Sequence, residues 1–270
     1  MSNQETVANM ERVWRAIIAL CDTFTEREWR TSTDCPGWTV QDQVAHMLGS
    51  ESRLLGLPIP EHTPQDTSHV KNEAGQRNEV WVDWFRSWSG AQVLQRFREV
   101  TGERLKVLRA MRPEDFEAQT QTPIGPGTVR DLLHIRIFDA WVHEQDIRRA
   151  VQRPGDLEGP VAVHAIGRVA MAMPYVVGRK VKPTDGTTVV FAMSGSAGRT
   201  LALRMEGGRA RSLDDTPVTP TVRLTMDPET FACLGCGRWT PAAALQAGKV
   251  HISGDTALGQ TILTQMNIMI

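Results

Sequence analysis

The sequence predicts two domains, a helical first half and a mixed α/β second half. The chain has 270 residues, which is more than one small hydrophobic core usually organises. Up to about residue 150, apolar residues recur at the spacing of helix faces. Beyond that point, short alternating or apolar runs are separated by glycines, which is typical of strands and turns. We expect the domain boundary within Gln152 to Gly159.

Periodicity and capping patterns predict the main helices of the first half. Residues 5–22 carry apolar side chains at helical spacing. Thr39, with Asp42 three positions later, is typical of an N-cap with a short capping-box partner, and it predicts a helix over about 40–55. Thr128 and Asp131 repeat this pattern ahead of a helix over about 129–151. Two more helical segments lie between them, after a polar loop at 58–76.

A tryptophan stripe marks the first of those two intervening segments. Trp81, Trp84 and Trp88 lie at positions i, i+3 and i+7, so they share one helix face. Such a stripe could line a ligand site, but amphipathic helices usually bury it in the core. We interpret the three tryptophans as core residues.

The second half reads as a small sheet with helices. Each predicted helix start has a capping side chain, and two of these caps are followed directly by proline. The predicted strands are Thr187–Met193, Thr200–Met205, Thr221–Met226 and Val250–Ser253, and the predicted caps are Asp227, Thr240 and Asp255.

Composition excludes some classes of partner. A formal net charge of -1 gives no electrostatic reason to expect a nucleic acid or an anionic membrane. The longest apolar stretch, about 161–177, is interrupted by His164 and Arg168, which argues against a membrane span. The N-terminus is polar and acidic, unlike a secretory signal, and four cysteines do not make a disulfide scaffold. We therefore expect a cytoplasmic protein.

Three side chains form a candidate metal site. Asp139 and His143 lie four residues apart on the helix predicted over 129–151, so they share one face, with Arg136 between them and Asp146 close by. Two imidazoles and a carboxylate, with His46 as the third donor, are a set that holds a divalent ion and leaves positions open. An alternative is an intrahelical Asp139–His143 hydrogen bond in a network with Arg136.

His46 by itself does not decide between these interpretations. On its helix it points away from the apolar stripe, beside Asp42, Ser50 and Arg53, as a surface or cleft histidine would. His46 supports a metal site only when it is considered together with Asp139 and His143 on the second helix.

Two sequence segments carry a family resemblance. CPGWTVQDQVAHML, followed about 90 residues later by FDAWVHEQDIRRA, resembles the mycothiol-dependent maleylpyruvate isomerase family. The segment from Met226 to Leu263 is similar to the sterol-carrier-like domain that closes many members. The resemblance implies a DinB-like four-helix bundle over residues 1–152 and a small α+β sterol-carrier-like domain over residues 158–270.

The resemblance also implies a ligand set and a cofactor. It assigns His46, Asp139 and His143 to a divalent metal, for which we expect zinc, with Arg136 and Asp146 supporting the ligands. In the isomerases the acidic ligand is Glu, whereas this chain has Asp139, one methylene shorter. The implied partners are mycothiol, a low-molecular-weight thiol, and a small electrophilic substrate.

The resulting function hypothesis is a metal-dependent thiol enzyme. Mycothiol would add through its sulfur to an electron-poor double bond. Rotation and elimination of the thiol would then give cis-trans isomerisation, whereas stopping at the addition would give S-transfer to a small electrophile. Two alternatives stay open: hydrolysis by metal-bound water, and a non-catalytic protein that binds a hydrophobic ligand and holds the metal structurally.

Overall fold

The computed structural model describes residues 1–269, which form two compact units, Met1–Asp156 and Leu157–Met269. The first unit is mainly helical. Its helices are α1 (Asn3–Cys21), α2 (Glu26–Trp29), α3 (Val40–Leu54), α4 (Glu73–Phe85), α5 (Gly90–Ala110) and α6 (Val129–Ala150). A short 3-10 helix, Pro113–Glu117, precedes a hairpin of β1 (Gln119–Thr122) and β2 (Gly125–Thr128) that leads into α6.

Four of these helices share the core of the first unit. Helix α3 packs against α5 and α6, and α1 packs against the same two helices, which makes a four-helix bundle. Helix α4 lies against α3, where Gly49 lets the backbone approach closely: a Cβ built at Gly49 would lie 2.5 Å from the Trp81 side chain. The mixed fold of a helical unit followed by an α+β unit confirms the predicted fold class.

The predicted capping boxes are both present. The Thr39 and Thr128 side chains accept from the backbone N–H groups of Asp42 and Asp131, and each aspartate accepts in return from the backbone of its threonine. These reciprocal bonds satisfy N–H groups that a helix start leaves unpaired. They therefore fix where α3 and α6, the two helices that carry the candidate donors, begin.

Burial around α3 and α4 departs from the sequence predictions. Every residue of α3 from Val40 to Ser52 is buried, so the face that carries His46 is interior rather than surface. In α4, Trp81 is buried as predicted, but Trp84 is exposed and Trp88 is only half-buried. Helix α3 is surrounded by three neighbouring helices, while α4 packs mainly against one of them, so only part of its apolar stripe is covered.

The second unit is a five-stranded sheet with helices. Its strands are β3 (Thr188–Met193), β4 (Thr200–Glu206), β5 (Arg209–Ser212), β6 (Val222–Met226) and β7 (Val250–Gly254), in the order β5-β4-β3-β6-β7. Strands β3 and β6 are parallel, and the other pairs are antiparallel. The helices are α7 (Gly159–Tyr175), α8 (Pro228–Gly235), α9 (Pro241–Gln246) and α10 (Thr256–Gln265), and a π-helical turn, Val176–Val181, follows α7.

Two pairings were not predicted from the sequence. Strand β5 is an exposed edge strand with the sequence RARS, which has no apolar alternation to reveal it. No strand was predicted directly before α6 either, where β1 and β2 pair as a hairpin. Backbone hydrogen bonding to a neighbouring strand, rather than side-chain periodicity, defines both elements.

The most apolar helical segment belongs to the interior of the second unit. Gly159–Val181 has 23 residues and passes the length and composition criteria for a membrane span. However, 56% of its most apolar window is buried inside the protein, and α7 contacts α8 and β5. The core helix of a soluble protein meets the same criteria, so this segment is weak evidence for a membrane.

Candidate metal centre

The three predicted donors meet between α3 and α6. His46 lies in the middle of α3, while Asp139 and His143 lie one turn apart on α6, and one ligand atom from each lies within 4.8 Å of the other two. Asp139 Oδ2 is 3.3 Å from His46 Nε2, and Asp139 Oδ1 is 3.5 Å from His143 Nε2. The two imidazole centroids are 4.7 Å apart.

These separations fit a shared metal ion. Ligand atoms at about 2.0 to 2.1 Å from a tetrahedral ion lie roughly 3.3 Å from one another. The distance from His143 Nε2 to Asp139 Oδ1 is long for a hydrogen bond, so an intrahelical pair alone accounts for it poorly. The side chains of both histidines are 7% exposed and that of Asp139 is 21% exposed, which leaves the site open on the side of the carboxylate.

A buried glutamine orients one of the imidazoles. His143 Nδ1 donates a hydrogen bond to Gln43 Oε1, and Asp146 Oδ2 lies 3.7 Å from the same nitrogen. The Gln43 amide is held in turn by a 2.7 Å bond from its Nε2 to Thr33 Oγ1. In the neutral imidazole, a proton fixed on Nδ1 leaves Nε2, which lies beside Asp139, free to bind a metal, and this is the arrangement that outer partners give to metal-ligating histidines.

A buried ion-pair network supports the carboxylate. Arg136 donates through Nη1 to Asp139 Oδ2 at 2.7 Å and through Nε to Glu51 Oε1 at 2.9 Å. Glu51 also accepts from Arg104 Nε at 3.1 Å, and its own side chain is completely buried. This chain of contacts connects α3, α5 and α6, so the position of Asp139 depends on three helices.

The charges at the site follow from burial and from these partners. Burial lowers the pKa of His46 to about 4, and the Asp139 carboxylate opposes that shift only in part. Burial also acts to lower the pKa of His143, but Asp139 and Asp146 outweigh it and raise that pKa above its usual value. Burial favours neutral Asp139, yet Arg136 and the imidazoles hold its pKa well below the usual range. The carboxylate is therefore ionised at neutral pH.

An indole ring covers one side of both imidazoles. The ring centroid of Trp38 lies 5.1 Å from that of His46 and 5.8 Å from that of His143. Trp38 Nε1 donates to Glu79 Oε2 at 3.0 Å, and His69 Nε2 lies 3.1 Å from the same oxygen. This apolar wall limits the access of water to the imidazoles from that direction.

Sequence reasoning named the three candidate donors but missed three residues that surround them. It named His46, Asp139 and His143, and it placed Arg136 and Asp146 beside them, where both indeed make contact. It missed Gln43, Glu51 and Trp38. Gln43 gave a usable signal because it lies three residues before His46 on the same helix, whereas the partners of Glu51 and Trp38 lie on other helices.

Comparison with known proteins assigns the family. Residues 10–148 match the family model described as the mycothiol maleylpyruvate isomerase N-terminal domain. The chain belongs to the mycothiol maleylpyruvate isomerase family. In this member the matched region contains all three candidate donors and the residues that orient them. Residues 174–265 match the SCP-2 sterol transfer family, in agreement with the sheet unit of this family member.

Solved structures show the same fold over nearly the whole chain. A crystal structure of the mycothiol-dependent maleylpyruvate isomerase covers 94% of this family member and 93% of its own chain, at 14% identity and a TM-score of 0.60. A mutant of that isomerase matches over the same shares, at 13% identity and a TM-score of 0.60. At such identities the likeness concerns the fold alone. No curated protein sequence matches the chain.

Proposed function

We propose that this family member is a metal-dependent thiol enzyme. In this proposal His46, Asp139 and His143 bind a divalent ion, and mycothiol is the cofactor or cosubstrate for cis-trans isomerisation or for S-transfer to a small electrophile. The observation that carries the proposal is the convergence of two imidazoles and an ionised carboxylate within 4.8 Å, with the Nε2 atom of His143 presented by Gln43.

Each side chain of this site would have a separate role. A bound divalent ion with an open position strongly favours a thiolate over a thiol, and so supplies a nucleophile at neutral pH. Arg136 holds Asp139 through Oδ2, and Gln43 holds the His143 ring. Trp38 shields both imidazoles, while the exposed side of Asp139 leaves room for a thiol and an electrophile to enter.

Zinc is the ion we propose, because a His₂-carboxylate set with an open position is typical of its catalytic sites. The same nitrogen and oxygen donors also serve Ni, Fe and Mn, so the metal has to be identified by measurement. One side chain in the set differs from the isomerases, since Asp139 replaces a Glu. The shorter carboxylate still offers an oxygen to a metal ion, and family membership by itself assigns neither isomerisation nor S-transfer to this chain.

The first prediction concerns metal content. We expect about one equivalent of metal per chain in the untagged wild type and its loss in His143→Ala, because two remaining donors bind a divalent ion weakly. His134→Ala is the matched control, since it removes another histidine of α6 that is not one of the three donors, and it should keep the metal. Mass spectrometry of the purified proteins measures this. A wild type that is empty and takes up no added zinc would contradict the proposal.

The same samples test the thiol chemistry. We expect mycothiol to react with an activated alkene or alkyl halide faster in the presence of the metalled wild type than in its absence. If mycothiol neither binds that protein nor reacts faster in its presence, the thiol part of the proposal fails. Turnover of an ester or amide without added thiol would favour hydrolysis instead.

A second prediction isolates the orienting glutamine. Gln43→Leu removes the acceptor of His143 Nδ1 with little change in volume, and we expect metal affinity to fall about 10- to 100-fold. Gln41→Leu is the control, because Gln41 is equally buried on α3 but bonds only to the backbone oxygens of Phe85 and Trp88. Competition with a chromogenic zinc chelator measures both affinities. If Gln43→Leu and Gln41→Leu bind zinc with equal affinity, Gln43 does not support metal binding.

One observation favours a second candidate function. The match of residues 174–265 to the SCP-2 sterol transfer family supports binding of a small hydrophobic ligand by the second unit. In that case the metal would be structural. A metal that stays fully coordinated when mycothiol is added, with no effect of the thiol on any electrophile, would favour this candidate.

A further inference from the structure

A groove lies between the π-helical turn and the edge strand β5 of the second unit. Its volume is about 310 Å³. Small-molecule sites have volumes of roughly 300–1,000 Å³, so the groove suits one small ligand. It shares no residue with the donor cluster, which consists of His46, Asp139 and His143. The lining residues are Pro174, Tyr175, Gly178, Arg179, Arg209 and Ala210.

Local backbone constraints build this groove. Pro174 has no backbone N–H to donate to the carbonyl group four residues earlier, and α7 gives way to the π-helical turn just after it. A Cβ built at Gly178 would lie 2.7 Å from the backbone nitrogen of Ala210, so only glycine lets the turn lie this close to β5. Short π-helical segments are frequent at functional sites, and this one forms a side of the groove.

Two arginines of the groove are without a partner among residues 1–269. Neither the Arg179 nor the Arg209 guanidinium forms an ion pair or a hydrogen bond there. Glu206 lies directly opposite Arg209 in the β4–β5 register, yet the two make no ion pair within the same residues. Lys180 differs, because its Nζ donates to two backbone oxygens at the end of α10 and just after it. The groove therefore carries two positive charges that are available to an anion.

An aromatic ring borders these charges. Tyr175 is 61% exposed and lies four residues before Arg179, about one helical turn away. An exposed ring of this kind offers a flat face on which a planar heterocycle stacks. None of the six lining residues carries a carboxylate, so the wall of the groove does not repel an anion. The lining thus combines a stacking surface with a site for negative charge.

We propose that this groove binds a nucleoside monophosphate, with the phosphate on Arg179 and Arg209 and the base on Tyr175. A phosphate monoester carries a charge of about −1.5 to −2 at neutral pH, which matches two guanidinium groups, whereas a carboxylate needs only one. The planar guanidinium fork also fits the geometry of phosphate oxygens. The volume suits a single nucleotide rather than a longer chain. The inference concerns the second unit alone and is independent of the proposed metal chemistry.

Isothermal titration of the full-length protein with adenosine monophosphate tests the charged half of the site. It measures the Kd for wild type, Arg179→Gln and Arg211→Gln. Arg211 is the matched control, because it is an exposed arginine of β5, two residues from Arg209, that does not line the groove. We expect Arg179→Gln to weaken binding at least tenfold and Arg211→Gln to change it less than twofold. Arg179 and Arg211 are both exposed, so neither substitution should disturb folding.

Tyr175→Leu tests the aromatic half. Loss of the stacking face should weaken adenosine monophosphate binding about fivefold or more. Binding of inorganic phosphate should change less than twofold in the same variant. If wild type binds inorganic phosphate as tightly as adenosine monophosphate, the groove holds an anion only and the nucleotide is refuted.

Three further results would overturn the site: no binding of adenosine monophosphate at millimolar concentration, equal weakening by Arg179→Gln and Arg211→Gln, or adenosine binding as tightly as its monophosphate. Octanoate that displaces the nucleotide would assign the groove to an apolar acid and also refute the proposal. Chelation of the metal should leave the affinity unchanged. Nucleotide binding that depends on Arg179 therefore supports the site even if the thiol assay fails.

Discussion

Replacing Glu51 with alanine is expected to destabilise the first unit by about 3–5 kcal/mol. Glu51 is completely buried and accepts hydrogen bonds from Arg104 and Arg136, whose side chains are each 8% exposed. Its removal leaves two buried guanidinium groups without their shared counter-ion. Since Arg136 also holds Asp139, we expect metal affinity to fall together with stability.

Urea unfolding followed by tryptophan fluorescence measures this effect in the correct unit, because seven of the eight tryptophans lie within residues 1–156. Glu103→Ala is the matched control on α5. Glu103 pairs with Lys106 at 2.7 Å, but both side chains are largely exposed, so its loss should cost less than about 1 kcal/mol. Similar costs for the two variants would mean that burial does not set the strength of the Glu51 network.

Gly90→Ala is the second substitution with a large expected effect, a loss of about 3 kcal/mol. Gly90 is the first residue of α5, and Trp29 lies directly over it: a Cβ at Gly90 would come within 2.1 Å of the Trp29 ring. Trp29 is itself almost completely buried, so the indole has no space into which it can move. The added methyl group therefore has to displace α2 or α5.

Gly102→Ala, on the same helix, is expected to stabilise the protein rather than destabilise it. A Cβ at Gly102 meets no atom within 4 Å, so alanine there should stabilise α5 by about 0.5–1 kcal/mol through its higher helix propensity. The same fluorescence-monitored unfolding compares the two variants. A Gly90→Ala protein as stable as Gly102→Ala would show that the α2–α5 contact yields easily to an added methyl group.

The sequence determined the local features of this protein well. The capping boxes at Thr39 and Thr128 depend on residues only three positions apart, so their patterns predicted where α3 and α6 begin. The spacing of Asp139 and His143 placed both on one face of α6 for the same reason. His46 could be joined to them through the family resemblance, since its own helix pattern indicated a surface position.

Tertiary structure alone decided the features that depend on register and neighbours. The antiparallel alignment of α3 with α6 brings Gln43 to His143 and Glu51 to Arg136, across separations of 100 and 85 residues. Packing of α3 among three helices buries His46, while the position of α4 leaves Trp84 exposed. Periodicity along one chain segment reports which side chains share a face, but not what covers that face. What covers a helix face depends on how the helices pack against one another, and this packing set the surroundings of the donor cluster.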